Sequence, residues 1–299
     1  MADDYRRFLQ PQVVSRLSSM ELRARLVVEG FITGLHRSPY HGFSVEFAEH
    51  RPYMPGDEIR HIDWKLYGKT DRYYIKQYEE ETNLKAYLVV DTSKSMAFAS
   101  SGMVPKLEYA SCLAASLAYM MIKQQDAVGL ALFDEALTSY IPPHATRGYM
   151  RQLLIQLQHA QPSGRTGAAR ALHQVAERIR RRGLVVVISD LLDRQEEVMT
   201  ALRHFRHKKN EVIVMHVLDP IELSFAFPQA AKFRDLETGE QITTTPGLVE
   251  SSYRREMQAF LDRYKRECRE HMIDYVLLDT STPFDVALVR YLNRREQMF

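Results

Sequence analysis

Residues 84–95 read LKAYLVVDTSKS: a near-continuous apolar run, an aspartate, then two serines two residues apart. An apolar run of this length, rich in β-branched residues and closed by an acid, is the pattern of a strand buried on both faces of a parallel sheet. The pattern returns in GLVVVISD (183–190), EVIVMHVLD (211–219) and IDYVLLD (273–279). Helical periodicity fills the intervals at about 105–125, 146–158, 168–182, 194–207 and 249–271, with a last helix at 283–294. AVGLALF (127–133) and EALTSYI (135–141) read as a hairpin turning at Asp134-Glu135, and AKFRDLE with EQITTT as two further short strands. Strands alternating with helices predict an α/β fold with a doubly wound, mostly parallel sheet covered on both faces.

The first 83 residues differ in texture. An amphipathic stretch runs from about Pro11 to Gly30. Residues 37–83 follow, RSPYHGFSVEFAEHRPYMPGDEIRHIDWKLYGKTDRYYIKQYEEETN, dense in aromatics, Pro and Gly, and read as small strands joined by tight turns. Two regions are therefore expected: 1–83, a helix plus a small-strand block, and 84–299, the α/β domain. Within the stretch VVSRLSSMELRARLVVEGF (13–31), mixed charge favours a helix packed on the domain over one lying on a membrane surface.

With 299 residues, 45% of them hydrophobic, the chain can bury a sizeable core, which argues against disorder. Forty basic against thirty-eight acidic residues leave +2, too little for a nucleic-acid binder driven by bulk charge. Two cysteines, Cys112 and Cys268, rule out a disulfide framework and fit a reducing compartment. No apolar run approaches the roughly 18–20 residues of a spanning helix, and the opening MADDYRRFLQPQ does not read as a signal peptide, so a cytoplasmic protein is expected.

In open doubly wound sheets, ligands gather beyond the carboxyl ends of the strands, where the strand order reverses. Asp91 and Asp190 are two of the four aspartates that close these apolar runs. After the first, Asp91, Ser93 and Ser95 would face one side of an extended turn. The loop S163-G-R-T-G167 adds a hydroxyl, Thr166, between flanking glycines. Asp91, Ser93, Ser95, Thr166 and Asp190 thus form an all-oxygen set of low charge. That set suits Mg²⁺ or Mn²⁺, with Ca²⁺ the further alternative, retaining some waters and an open position. The plainer explanation, that Asp and Ser after a strand cap the next helix, accounts for DTSKS alone but not for Thr166 and Asp190 in the right order.

DTSKS, SGRTG and ISD resemble the metal-ion-dependent adhesion site of von Willebrand factor A domains, and the strand–helix order from Leu84 onward resembles that fold. The block at 37–83 resembles the signature of the bacterial family called domain of unknown function 58. With the first, this second resemblance covers nearly the whole chain beyond its first ten or so residues. It implies a partner, a MoxR-type AAA+ ATPase, and a role in assembling or remodelling client proteins. The adhesion site implies recognition without turnover, the ion's open position accepting a partner's carboxylate. One departure stands out: adhesion-site loops often run Asp-Gly, whereas Asp190 is followed by Leu191, Leu192 and Asp193, and Asp193 becomes an added candidate ligand.

Other templates fit less well. A haloacid-dehalogenase site needs an acid where Ser93 stands. No G-x-S-x-G elbow occurs. Gly68-Lys69-Thr70 lacks the first P-loop glycine, position 63 being Asp63. His36, His41, His50 and His61, beside Asp57 and Asp63, match no zinc spacing and read as structural or interface groups. Trp64 reads as an anchor for the small-strand block. Tyr73, Tyr74 and Tyr78 with Arg72 and Lys76 could stack bases, but Glu79, Glu80 and Glu81 would repel phosphate. Arg180, Arg181 and Arg182 read as charges compensating a helix C-terminus. The alternatives to an interaction module are a metal-dependent hydrolase using Asp91 and Asp190, short of a positioned His, Lys or Glu base, and a scaffold with a vestigial site.

Overall fold

The computed structural model describes residues 10–37, 50–52, 67–68, 71, 73–76, 84–164, 167–227, 231–234, 236, 239–244 and 246–289. Helices α1 (Pro11–Val14) and α2 (Met20–Arg37) open the chain, followed by β1 (His50–Pro52) and β2 (Tyr74–Lys76). The main body alternates β3 (Lys85–Asp91), α3 (Lys106–Lys123), the hairpin β4 (Ala127–Phe133) and β5 (Leu137–His144), α4 (Arg147–Gln158) and α5 (Ala168–Arg178). It continues with β6 (Leu184–Ser189), α6 (Gln195–His207), β7 (Glu211–Leu218), α7 (Pro220–Ser224), the antiparallel pair β8 (Ala231–Arg234) and β9 (Gln241–Thr244), α8 (Pro246–Glu270) and β10 (Asp274–Asp279). Helical residues 284–289 follow β10.

Six strands form one sheet in the order β10-β7-β6-β3-β4-β5, parallel throughout except for β5, which returns antiparallel to β4. The chain enters this sheet at β3, runs outward through β4 and β5, then jumps back to β6 on the other side. The order therefore reverses between β3 and β6, the crevice expected of a doubly wound sheet. Every residue of β6 is buried, as a central parallel strand requires.

Strand alternation sorts the side chains to two faces. Tyr87, Val89, Phe133, Val185, Val187, Val212 and Val214 pack with residues of α5, α6 and α8, including Leu172, Phe205 and Tyr264. The opposite face meets α3, which is buried nearly all round from Leu107 to Ile122. A helix apolar on all sides belongs inside a protein. Its first residue, Lys106, is fully buried too, and that charge is taken up below.

Two compact units emerge: residues up to Gly34 together with those from Leu84 onward, and residues 35–83. The first helices thus group with the α/β body. Ala24, Val27 and Val28 of α2 are fully buried, and Arg23 pairs with Glu108 of α3 at 2.7 Å. This is the packing helix expected, although the stretch breaks in two because the Ser19 hydroxyl accepts from Leu22 N and starts α2 afresh. In the second unit β1 pairs antiparallel with β2, and Tyr67 stacks on Tyr73 at 4.5 Å. Side chains of His36 and His50, and residues His41, His61, Asp57, Asp63, Trp64, Tyr78 and Glu79 to Glu81, lie outside what the structure describes.

Three sequence expectations are corrected. Helix α5 stops at Arg178, because Ile179 turns extended and buries its side chain. Arg180 to Arg182 therefore lie in the connection to β6, where the Arg181 carbonyl accepts from the Tyr87 hydroxyl at 3.1 Å. Residues 220–224, outside every expected helix, form a helical turn closed by a capping box between Asp219 and Glu222. Finally, residues 94–97 after DTS wind into a 3-10 turn where an extended one was expected.

Candidate functional site

Asp91 closes β3 and Asp190 follows β6, the two strands flanking the reversal of strand order. Both carboxylates are fully buried. Asp91 is held on each oxygen: Ser93 N donates to Oδ1 at 2.8 Å, and the Ser189 hydroxyl donates to Oδ2 at 2.6 Å. Burial, reinforced by the negative charge of Asp190, nevertheless raises the Asp91 carboxyl to a pKa of about 7. A buried acid whose ionisation is disfavoured beside a second carboxylate marks a place where a cation would be welcome.

The 3-10 turn does what extended alternation was expected to do. It brings the Ser93 and Ser95 hydroxyls to 3.0 Å of each other, Ser93 buried and Ser95 partly exposed. Thr92 turns away, its hydroxyl donating to the Phe133 carbonyl of β4, while its own carbonyl accepts from Ser163 N at 2.8 Å. That bond ties Ser163 to the DTSKS turn. The Ser163 hydroxyl also donates to Asp134 at 2.9 Å. Gly164 lies over the same carboxylate with φ +62°, where an added Cβ would come within 2.8 Å of it. Thr166 itself lies outside the described residues.

Asp193 was the added candidate. Its Oδ1 accepts from Arg194 N, and its Oδ2 reaches Ala169 N at a long 3.4 Å, at the start of α5. It serves the helix N-terminus, whose N-cap, Gly167, has no side chain to do so. At the position where adhesion-site loops often carry glycine, Leu191 adopts φ +51° with its side chain fully buried. Its N–H donates to the Ser189 hydroxyl and its carbonyl accepts from the Tyr264 hydroxyl at 3.2 Å. Left-handed backbone costs a non-glycine residue about 1–2 kcal/mol, which the buried isobutyl group offsets.

Sequence reasoning missed three groups around Asp190. Lys106 donates to Asp190 Oδ2 at 2.8 Å and to Glu222 Oε1 at 2.7 Å. Burial alone would lower the lysine, but the two carboxylates prevail and hold it above its ordinary value. Burial raises Glu222, with Lys106 and the Asp219 N–H pulling the other way. His216 places Nε2 2.8 Å from the Asp190 carbonyl oxygen and Nδ1 2.7 Å from the Tyr275 hydroxyl; burial lowers it to about 4, so it stays neutral. A lysine, a glutamate and a histidine therefore do surround the site, contrary to the expectation that none was positioned there. All three are engaged within the fold. Signals existed: Lys106 opens a mostly apolar helix, and D219-P-I-E222 has the spacing of a capping box.

The donor chemistry fits a hard divalent ion: two carboxylates and two paired hydroxyls meet at one end of the sheet. Among the described residues no three His, Cys, Asp or Glu side chains gather as ion ligands, so the serine hydroxyls would have to complete a set built on Asp91 and Asp190.

Fold and site together define an α/β protein with a carboxylate–hydroxyl cluster at the switch point of a six-stranded, mostly parallel sheet. The chain belongs to the family described as protein of unknown function DUF58, which matches residues 49–267. It is similar to the uncharacterized protein Rv1480 of Mycobacterium tuberculosis, 28% identical over 77% of this chain and 72% of that one. The uncharacterized protein Mb1516 of Mycobacterium bovis matches to the same extent. Among solved structures, the conserved hypothetical protein BatB from Bacteroides thetaiotaomicron superposes with TM-score 0.50 and 17% identity, over 72% of this chain and 99% of that one. That likeness is one of fold. Among the described residues no helix is long and apolar enough to cross a membrane.

Proposed function

We propose that this chain is a von Willebrand factor A-like interaction module that is non-enzymatic and depends on a divalent cation. In this reading it works in the cytoplasm with a MoxR-type AAA+ ATPase on client proteins. The observation that carries the reading is the meeting of buried Asp91 and Asp190 with the Ser93–Ser95 hydroxyl pair at the β3/β6 reversal. Asp91, Asp190, Ser93 and Ser95 would hold Mg²⁺ or Mn²⁺. When bound, the ion supplies an electrophilic position for an anionic oxygen of a partner, such as an Asp or Glu carboxylate. The chain's own part is to hold the acids in place, Asp91 through Ser93 N and Ser189, Asp190 through Leu192 N and Lys106. Ser95 provides the partly exposed rim.

Turnover is the weaker reading, since each nearby group able to act as a base is committed. Lys106 is an ammonium held by two carboxylates, and His216 is buried between the Asp190 carbonyl and Tyr275. The test is affinity capture from a native bacterial lysate with Mg²⁺ or with chelator, comparing the wild type with Asp91→Ala. Retention of an AAA+ ATPase or client only with Mg²⁺ and an intact Asp91 upholds the proposal. The same partners in every lane would point to a scaffold whose ion site is idle.

A further inference from the structure

Lys106 is fully buried at the first turn of α3, yet it is not paired one to one. Its ammonium is shared between Asp190, at the candidate ion site, and Glu222, on the short helix α7. Glu222 is fixed in turn, because its other oxygen accepts from Asp219 N at 2.7 Å. Asp219 accepts nothing from the lysine; its oxygens accept from Ser100 N and Ile221 N. A positive charge thus stands one carboxylate away from the place a metal ion would take, and a negative charge behind it moderates it.

We propose that Lys106 is the resident cation of this site, satisfying part of the charge of Asp190 and thereby setting how strongly the carboxylate pair draws a divalent ion. This inference rests on reading Asp91 and Asp190 as ion ligands. Charges interact strongly in buried surroundings, so a fixed ammonium next to a ligand oxygen lowers affinity for a second cation, while removing it raises affinity by about tenfold or more. Glu222 acts in the opposite sense. Without its charge, the ammonium bears more fully on Asp190 and repels an incoming ion more strongly. Substitutions at two touching residues therefore have opposite effects on ion affinity. Simple loosening of the fold would weaken binding in both.

The experiment titrates Mn²⁺ into the metal-free full chain, following bound ion by calorimetry and free ion by its electron paramagnetic resonance signal. It compares the wild type, Lys106→Gln, Glu222→Gln and Asp91→Asn. Expected are weak binding by the wild type, binding about tenfold tighter in K106Q, several-fold weaker in E222Q, and none in D91N. If D91N abolishes binding while K106Q matches or falls below the wild type, the inference is overturned and the ion-site reading stands. Binding by K106Q alone upholds the inference and overturns an ion-dependent function, Lys106 then standing in for the metal. No binding by either overturns both. Should K106Q fail to fold by circular dichroism, E222Q decides: unchanged or tighter binding overturns the proposal.

Discussion

The Ser189 hydroxyl lies 2.6 Å from Asp91 Oδ2, joining the ends of two adjacent parallel strands through a buried hydrogen bond to a carboxylate. The same oxygen accepts from Leu191 N, so one small side chain positions an acid on β3 and starts the loop after β6. Replacing Ser189 by alanine leaves a buried carboxylate oxygen and a buried N–H each short of a partner. Charged groups stripped of a hydrogen bond cost about 1.5–3 kcal/mol. Urea denaturation of Ser189→Ala is expected to show a loss of about 2–3 kcal/mol. A loss below half a kcal/mol would mean that the strand ends are not joined as described.

Asp91→Asn separates charge from shape. Asparagine retains an oxygen for Ser93 N, and the Ser189 hydroxyl can turn to accept from the new amide. Since burial and Asp190 already make ionised Asp91 unfavourable, the neutral variant should fold with a melting temperature equal to or above that of the metal-free wild type. What it should lose is the rise in melting temperature on adding millimolar Mg²⁺, because ligand linkage stabilises only a chain that binds the ion. An equal Mg²⁺ response in both proteins would remove Asp91 from the ion site.

Leu191 offers a reversal of the usual order of substitutions. Truncation of a buried leucine to alanine costs about 2–5 kcal/mol. Glycine removes one carbon more and in most settings is worse still. At φ +51°, however, glycine escapes the left-handed penalty that alanine keeps. Leu191→Gly should therefore be about 1 kcal/mol more stable than Leu191→Ala, with both well below the wild type. Chemical denaturation of the two variants side by side tests this, and alanine proving the more stable would refute the backbone argument.

The sheet was legible because its strands carry their own signal: β3, β6 and β7 are apolar runs that only a doubly covered parallel sheet can accommodate. The hairpin at Asp134-Glu135 and the placing of Asp91 and Asp190 at strand ends followed from the same runs. What escaped at the site itself was nonlocal. Lys106 and Asp190 are 84 residues apart, and no periodicity links them. The break at Ser19, the 3-10 turn at 94–97 and the early end of α5 depend on local hydrogen bonds or on one buried side chain. The capping box at Asp219 and Glu222 is written plainly in the chain, beside Pro220, Phe225 and Phe227, residue types that by themselves favour a loop.

A last expectation concerns α5 and α6, remote from the switch point in their contact. His173 and His204 face each other across these helices with Nδ1 atoms 3.1 Å apart, so one ring donates and the other accepts, which requires at least one to be neutral. Burial, then the charges of His173, Lys208 and His207, lower the pKa of His204, and Glu177 only partly counters them. A histidine whose folded pKa lies below its unfolded value contributes stability that is fully present above the unfolded value, here about 6.5. That contribution is lost as the pH falls through 6.5 toward the folded value, because the unfolded chain binds the proton first. Urea midpoints measured between pH 7.5 and 5.5 should therefore fall more steeply for the wild type than for His204→Gln, by a fraction of one proton in slope. The other histidines contribute equally to both proteins, so the difference isolates this pair. Parallel curves would mean that the contact does not govern the titration.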